Sequence, residues 1–156
     1  MLNTKPLMSW TPHVTVATII ERNGKFLLVE ERINNKVVFN QPAGHVEPNE
    51  TLINAAVRET MEETGWTVVP MALLGFYTYT TQCKTKTFYR TTFIAEAKHF
   101  NPEYRLDPDI IRTHWMSLDE IESRKSSLRS PIVLKCAEDY CAGRSLPLDS
   151  IIEYYE

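Results

Sequence analysis

The residues in this chain best suited to chemistry are four glutamates within segment 44–66. They are Glu50, Glu59, Glu62 and Glu63. Helical spacing places Glu59 and Glu63 one turn apart, on the same side as Leu52 and Ala56. Because Glu62 lies beside them, three carboxylates share about a third of the helix circumference at the edge of its apolar stripe.

Clustered carboxylates of this kind favour a divalent cation. Like charges one turn apart repel each other, and partial burial increases the repulsion. Magnesium prefers oxygen ligands and is usually held by one or two carboxylates together with water and substrate phosphate, which suits Glu59 and Glu63. The same spacing is also compatible with a solvated acidic helix face, because glutamate is a good helix former.

The sequence predicts a helix that holds these glutamates. Pro48 and Asn49 introduce the apolar spacing, and Gly65 ends it. The apolar positions are Leu52, Ile53, Ala56 and Val57. Segment 41–44 brings the backbone to the start of this region, where Gly44 lets the chain pass close to a bound metal or phosphate because it has no Cβ.

Stretches rich in β-branched, aliphatic and aromatic residues surround the helix and predict strands. They cover residues 13–20, 25–31, 36–39, 67–80, 85–100 and 111–116. Turns at 21–24, 34–35 and 81–84 join neighbouring strands, the first as a hairpin containing Asn23 and Gly24. Ser117 with Glu120 is a capping box for a short helix, and Ser130 with Pro131 begins a last helix that ends near Gly143. This order predicts an α/β/α sandwich around a mixed sheet.

Length and composition predict a single domain, residues 12–156, behind a loose N-terminal segment 1–11. The chain has 156 residues, of which 43% are hydrophobic, enough to bury a core. A net charge of -3 does not favour a nucleic-acid or membrane surface. Three cysteines without metal-ligand spacing indicate free thiols, and no apolar run reaches the roughly 20 residues of a membrane span. We therefore expect a cytoplasmic protein.

The spacing from Gly44 to Gly65 resembles the Nudix box, the signature of hydrolases that cleave nucleoside diphosphates linked to another group. Five residues separate Gly44 from Glu50, seven more precede Arg58 and Glu59, and the last members of the motif follow. Those last members are Glu62, Glu63 and Gly65. Thr60 and Trp66 depart from the pattern, which has aliphatic residues there. Both are packing positions, so the departures concern the core and leave the chemistry intact.

The resemblance implies the Nudix fold and a magnesium-dependent hydrolase, with manganese as a substitute. We expect Glu59 and Glu63 to bind the metal directly and Glu62 to complete the cluster, directly or through water. Ala43 corresponds to a residue whose carbonyl oxygen also binds metal in this family. Arg58 is expected to hold Glu59 or Glu50 by a charged hydrogen bond. Glu50 and Gly44 are expected to contact the metal ligands without binding the metal themselves.

The general base is open between a glutamate of the box and a residue from elsewhere. Glu96, near the end of a long predicted strand, is the outside candidate. Arg32 and Arg90 are candidates for contacts with phosphate oxygens. Three histidines are further candidates, although a lone histidine beside a strand is more often structural. They are His13, His45 and His114.

Segments 12–17, 40–45 and 128–131 narrow the resemblance to a phosphatase branch of the family. That branch implies nucleoside tri- and diphosphates and the thiamine-pathway compound hydroxymethylpyrimidine pyrophosphate as substrates, with phosphate released. Three alternatives stay open. They are a pyrophosphohydrolase of another substrate such as ADP-ribose or a dinucleoside polyphosphate, a nucleotide-binding domain without turnover, and a calcium-binding structural module. The sequence contains no EF-hand loop, which counts against the calcium-binding module. We expect a small-molecule partner only, and a monomer or homodimer.

Overall fold

The computed structural model describes residues 10–154 of the chain. The strands are β1 His13–Ile19, β2 Glu21–Arg22, β3 Lys25–Ile33, β4 Lys36–Asn40, β5 Ala43–His45, β6 Trp66–Thr80, β7 Thr87–Phe100 and β8 Ile110–Met116. The helices are α1 Leu52–Thr64, α2 Leu118–Ser123 and α3 Pro131–Cys141, with short 3₁₀ turns at Lys125–Ser127 and Leu148–Ser150. Nearly all of segment 1–11 lies outside the described residues, so the loose N-terminus stays a prediction.

The strands form two four-stranded sheets. The mixed sheet has the order β5-β1-β7-β6, in which β1 is parallel to β7 and the other pairs are antiparallel. In the second sheet β3 pairs with β2 and β4 along one edge and with β8 along the other, always antiparallel. The predicted fold class, α/β with a mixed sheet, is confirmed. The division into two sheets does not follow from the strand patterns, because periodicity does not specify the pairing partner.

The turn predicted at 21–24 forms, but it joins β2 to β3. Asn23 and Gly24 have φ angles of 53° and 75°, the left-handed values that a type I′ hairpin turn requires. β1 was expected to pair with β3 across this turn, and that prediction is wrong. β1 ends at Ile19 and pairs with β5 and β7 in the mixed sheet, which brings β5 next to the core of the molecule.

The layers lie on opposite faces of the sheets, as adjacent residues of β6 show. Leu73 packs with Ala55 and Ala56 of α1, whereas Leu74 packs with Val133 of α3. All five of these side chains are fully buried, and each large one contributes about 1.5–3 kcal/mol by leaving water. The helix, sheet, helix layering is therefore confirmed. Helix α1 packs against the mixed sheet, whose strand β5 carries Gly44.

Helix α1 begins and ends where the sequence predicts. The Thr51 hydroxyl caps its first turn by accepting from the Asn54 N–H at 2.9 Å, and Gly65 ends it with φ 71°. Thr60 is fully buried, and its hydroxyl donates to the Ala56 carbonyl at 2.7 Å while lying 2.8 Å from the Thr18 hydroxyl. A threonine thus fits an aliphatic position because a second threonine satisfies it.

The later helices also follow their end signals. α2 has the full capping box between Ser117 and Glu120. α3 has Pro131 in its first turn, but the Ser130 side chain makes no capping hydrogen bond, so the proline rather than the serine marks this start. None of the helices in residues 10–154 is both long and apolar enough to cross a membrane.

Candidate active site

Arg58 connects three of the predicted glutamates. Its Nε and Nη2 donate to the two oxygens of Glu50 at 2.7 and 2.8 Å. Its Nη1 donates to Glu59 Oε1 at 2.8 Å and to Glu62 Oε2 at 2.9 Å, while Nη2 also reaches the His45 carbonyl at 3.1 Å. The fork raises the pKa of Arg58 and lowers the pKa of Glu50 through their shared hydrogen bonds. We call Glu50, Glu59, Glu62 and Glu63 the carboxylate cluster.

Glu59 lies directly against the backbone of β5. A Cβ on Gly44 would collide with the Glu59 carboxylate, so only glycine allows this approach. Gly44 is held there by its pairing with Val16 of β1. The strand therefore forms a wall beside the carboxylate, at the place where the sequence predicted a close passage.

Glu63 is the most deeply buried member of the carboxylate cluster. Its side chain is 7% exposed, and its Oε2 accepts from the Ala43 N–H at 2.9 Å. Burial raises the pKa of Glu63 well above its usual value, and the nearby Glu31 and Glu59 add to the effect. Burial likewise raises the pKa of Glu59, although Arg58 opposes this. When Glu59 and Glu63 are ionised, their negative charges are therefore only partly neutralised by neighbouring groups, and a bound cation would neutralise them.

The oxygens available at this place fit a hard divalent ion. Glu59 Oε2 and Glu63 Oε1 accept no hydrogen bond from residues 10–154, and each has its other oxygen fixed by Arg58 or Ala43. Within those residues, no three His, Cys, Asp or Glu side chains form a ready-made metal cage. Magnesium does not need one, because water and substrate phosphate usually complete its coordination.

Glu96 is not brought to the carboxylate cluster. Its side chain is 55% exposed and pairs with Lys98 at 2.6 Å. In the register of the mixed sheet, Ala17 lies between Ala43 and Thr92, and Glu96 is four residues farther along β7. That offset is about 13 Å along the strand. Strand position alone does not reveal this, because the sequence does not show which strands lie next to β5.

Four cations from three separate segments of the chain meet in a cleft. Lys36 of β4, Lys86, Arg90 of β7 and Arg129 line a cavity of about 380 Å³ whose described lining contains no Asp or Glu. We call this the basic cleft. Arg90 was predicted as a phosphate contact, whereas Arg32 is exposed and lies outside the lining. Lys36, Lys86 and Arg129 were not predicted as phosphate contacts, because their sequence positions do not show that they share a cleft.

A smaller cavity of about 140 Å³ adjoins the basic cleft on the side of β5. It shares Phe88, Arg90 and Arg129 with the cleft and reaches Ala43 and Gly44 at its other end. The smaller cavity therefore lies between the basic cleft and the β5 backbone, which contacts Glu59 at Gly44 and Glu63 at Ala43.

Glu31 is a buried carboxylate in the small cavity that the sequence did not single out. It is 8% exposed, and its Oε1 has no hydrogen-bond partner in residues 10–154. The nearest cation is Arg129, whose Nε lies 4.0 Å away. Burial raises the pKa of Glu31. Glu31 stands between two other charged residues of β3, Glu30 and Arg32, so nothing in the sequence distinguishes it.

The candidate histidines have different surroundings. His13 Nδ1 lies 3.0 Å from His45 Nε2, and His45 lines the small cavity, where burial lowers its pKa. His114 instead lies 2.6 Å from Glu30, which also accepts from Arg112, and neither His114 nor Glu30 lines the small cavity. Only His45 is therefore placed beside the candidate site.

Comparison with known proteins agrees with this geometry. Residues 10–135 match the NUDIX domain family. The chain is 42% identical over 143 residues to phosphatase NudJ of Shigella boydii serotype 4 (strain Sb227) and, equally, to phosphatase NudJ of Escherichia coli (strain K12). Each of these alignments covers 92% of this chain and 92% of the relative.

The structural comparison gives the same result. A NUDIX hydrolase from Nitrosomonas europaea superimposes with a TM-score of 0.90 at 43% identity, covering 92% of this chain and 98% of that one. Nudix hydrolases act on small nucleotide-linked substrates and generally use a divalent metal ion. The family match, the relatives and the placement of the carboxylate cluster together show that this chain belongs to the Nudix hydrolase family.

Proposed function

We propose that this chain hydrolyses phosphoanhydride bonds in nucleoside tri- and diphosphates, and in hydroxymethylpyrimidine pyrophosphate, and that it releases inorganic phosphate. The observation that carries the proposal is the pair of buried carboxylates, Glu59 and Glu63, held between α1 and the β5 backbone. Release of phosphate is supported by the 42% identical relatives, which are phosphatases by name.

Magnesium is the proposed cofactor, and manganese is expected to replace it. Glu59 and Glu63 bind the ion directly, Glu62 binds it directly or through water, and the Ala43 carbonyl is a further ligand. When bound, the ion neutralises charge on adjacent phosphate oxygens and lowers the pKa of a water that attacks phosphorus.

The remaining residues of the site hold this arrangement in place. Arg58 fixes Glu59 and Glu62 through one nitrogen, and its bidentate bond to Glu50 fixes the arginine itself. Gly44 leaves the space that the Glu59 carboxylate fills. Because Glu96 is remote, we assign the general base to the carboxylate cluster. A cytoplasmic location, a role in thiamine metabolism and a monomeric or homodimeric state stay predictions.

Product analysis tests this proposal. Adenosine tri- and diphosphate, hydroxymethylpyrimidine pyrophosphate, ADP-ribose and a dinucleoside tetraphosphate are incubated with the protein in magnesium and in chelator. We expect inorganic phosphate from the first three substrates, magnesium dependence throughout, and stepwise release from the triphosphate. Pyrophosphate as the dominant product of the first turnover would instead identify a pyrophosphohydrolase. Binding without any turnover would identify a nucleotide-binding domain.

A further inference from the structure

The basic cleft is unusual for a chain of this charge. The protein carries a net charge of -3, yet four cations and no carboxylate line the cleft among the described residues. Lys36, Lys86 and Arg90 form no ion pair within 4.0 Å in residues 10–154, and Arg129 reaches only Glu31, at the 4.0 Å limit. Uncompensated cations gathered in a concave site attract anions strongly.

The guanidinium of Arg90 is only weakly hydrogen-bonded inside the cleft. Its guanidinium makes only long hydrogen bonds, at 3.3 Å to Gln41 Oε1 and 3.5 Å to Asn40 Oδ1, both neutral groups. Burial lowers the pKa of Arg90, although the nearby carboxylates of Glu63 and Glu31 oppose this, so its charge is poorly solvated. An arginine in this state gains most from a phosphate, which matches its planar fork of donors.

The walls of the cleft also determine the direction of a bound substrate. At one end the small cavity leads to Ala43 and Gly44 and hence to the carboxylate cluster. At the other end the cleft shares Tyr79 with a groove of about 630 Å³. That groove is lined by aromatic and aliphatic side chains, among them Tyr77 and Leu128, and also by charged ones, among them Lys135 and Glu138. Apolar and aromatic walls suit a nucleoside, whereas the cations between suit phosphates.

We propose that the basic cleft binds the phosphates that stay with the leaving nucleotide, so that the enzyme selects substrates by phosphate number. This inference rests on the proposed function. Water adds to the terminal phosphorus, the anhydride P–O bond breaks, and the bridging oxygen remains on the nucleotide. The water oxygen leaves in inorganic phosphate with one proton, and the other proton goes to solvent. A triphosphate keeps two phosphates in the cleft and a diphosphate keeps one.

The test removes two cations that touch no member of the carboxylate cluster. In Lys36→Ala/Lys86→Ala, the KM for adenosine triphosphate should rise about tenfold and the KM for adenosine diphosphate only about threefold, with kcat within about twofold. The matched control is Lys25→Ala/Lys98→Ala, which has the same net charge but changes lysines paired on the outer surface with Glu120 and Glu96. Its KM values should stay within about twofold of the parent.

A binding measurement keeps this test independent of turnover. Adenosine triphosphate is titrated calorimetrically into the parent and both double variants in chelator, where no metal contributes. We expect the Kd of the Lys36/Lys86 variant to be about tenfold above that of the parent and of the control. If the parent hydrolyses none of the nucleotides but this Kd difference is found, the proposed function fails and the cleft assignment stands. Equal Kd values, no detectable binding by the parent, or equal KM changes for the tri- and diphosphate would overturn the assignment.

Discussion

The carboxylate cluster and the basic cleft are built in opposite ways. The cluster comes from a single helix and its approach loop and is mostly buried, and one arginine holds three of its four carboxylates with bonds of 2.7–2.9 Å. The cleft is assembled from residues on separate segments, is partly open, and its cations have few fixed partners. The first is a rigid site suited to a metal, and the second is an adaptable surface suited to a charged substrate.

This difference separates the expected effects of mutation. Interactions that act on the reacting phosphorus change kcat, whereas interactions made equally in the ground and transition states change KM. Changes in the carboxylate cluster should therefore lower kcat, and changes in the basic cleft should raise KM. A cleft variant that lowered kcat, or a cluster variant that only raised KM, would break the comparison.

Loss of the Arg58 fork is expected to have the larger of the next two effects, a fall in kcat. Arg58→Lys keeps the charge but cannot serve Glu50 with two nitrogens while donating to Glu59 and Glu62. We expect kcat to fall about ten- to a hundredfold, the usual range for residues that orient metal ligands. Steady-state hydrolysis of adenosine triphosphate at saturating magnesium measures this.

Arg112→Lys is the matched control for Arg58. Arg112 also binds a glutamate, Glu30 at 2.9 Å, but its side chain is 66% exposed and lies away from the cluster. Its replacement should leave kcat unchanged and alter stability by less than about 1 kcal/mol. If the Arg58 variant behaved like the Arg112 variant, the fork would be an ordinary ion pair without influence on the reaction.

The smaller effect is a pH-dependent stability difference in the metal-free protein. The folded pKa of Glu63 is raised, so between the unfolded and folded pKa values the folded protein binds more protons, and its stability falls as pH rises. Glu63→Gln removes this loss. The variant should therefore melt above the parent by a few degrees at about pH 8, and by less at about pH 5. Thermal unfolding in chelator at both pH values measures the difference.

Glu96→Gln gives the baseline for that experiment, because its side chain is 55% exposed and far from the cluster. Its melting temperature should follow the parent at both pH values. A Glu63→Gln variant that is less stable than the parent at about pH 8 would show that the ionised carboxylate stabilises the metal-free fold.

Much of the fold was predictable because its signals are local. The ends of α1, the capping box of α2 and the turns near Asn23 and at 81–84 each depend on a few adjacent residues. The pairing of β1 was not predictable in this way. Asn23 and Gly24 specify a turn but not which strand continues beyond Ile20, and that choice is made by long-range packing.

The candidate site divides along the same line. Glu59 and Glu63 were identified from spacing because one helix carries both, and helix geometry fixes their relation. Lys36 and Lys86 were not, since only the pairing of β4 and β7 into different sheets brings them to one cleft. Glu96 was misplaced for the same reason. The position of a single charged residue in a strand does not predict a role in the site unless the neighbouring strands are known.

The central claim is that Glu59 and Glu63 hold the metal ion that hydrolysis requires. Glu59→Gln and Glu63→Gln keep the size and helix propensity of the side chain and remove its charge. Each should lower kcat for adenosine triphosphate at least about a hundredfold, the scale of losing electrostatic stabilisation at a phosphoryl centre. Magnesium should also raise the melting temperature of each variant less than it raises that of the parent.

The decisive measurement is therefore phosphate release by the parent, Glu59→Gln, Glu63→Gln and the Glu96→Gln control, each in saturating magnesium and in chelator. We predict full activity only for the parent and the control, only in magnesium. Near-parent rates in both cluster variants, or full activity of the parent in chelator, would contradict the assignment of these two glutamates as metal ligands.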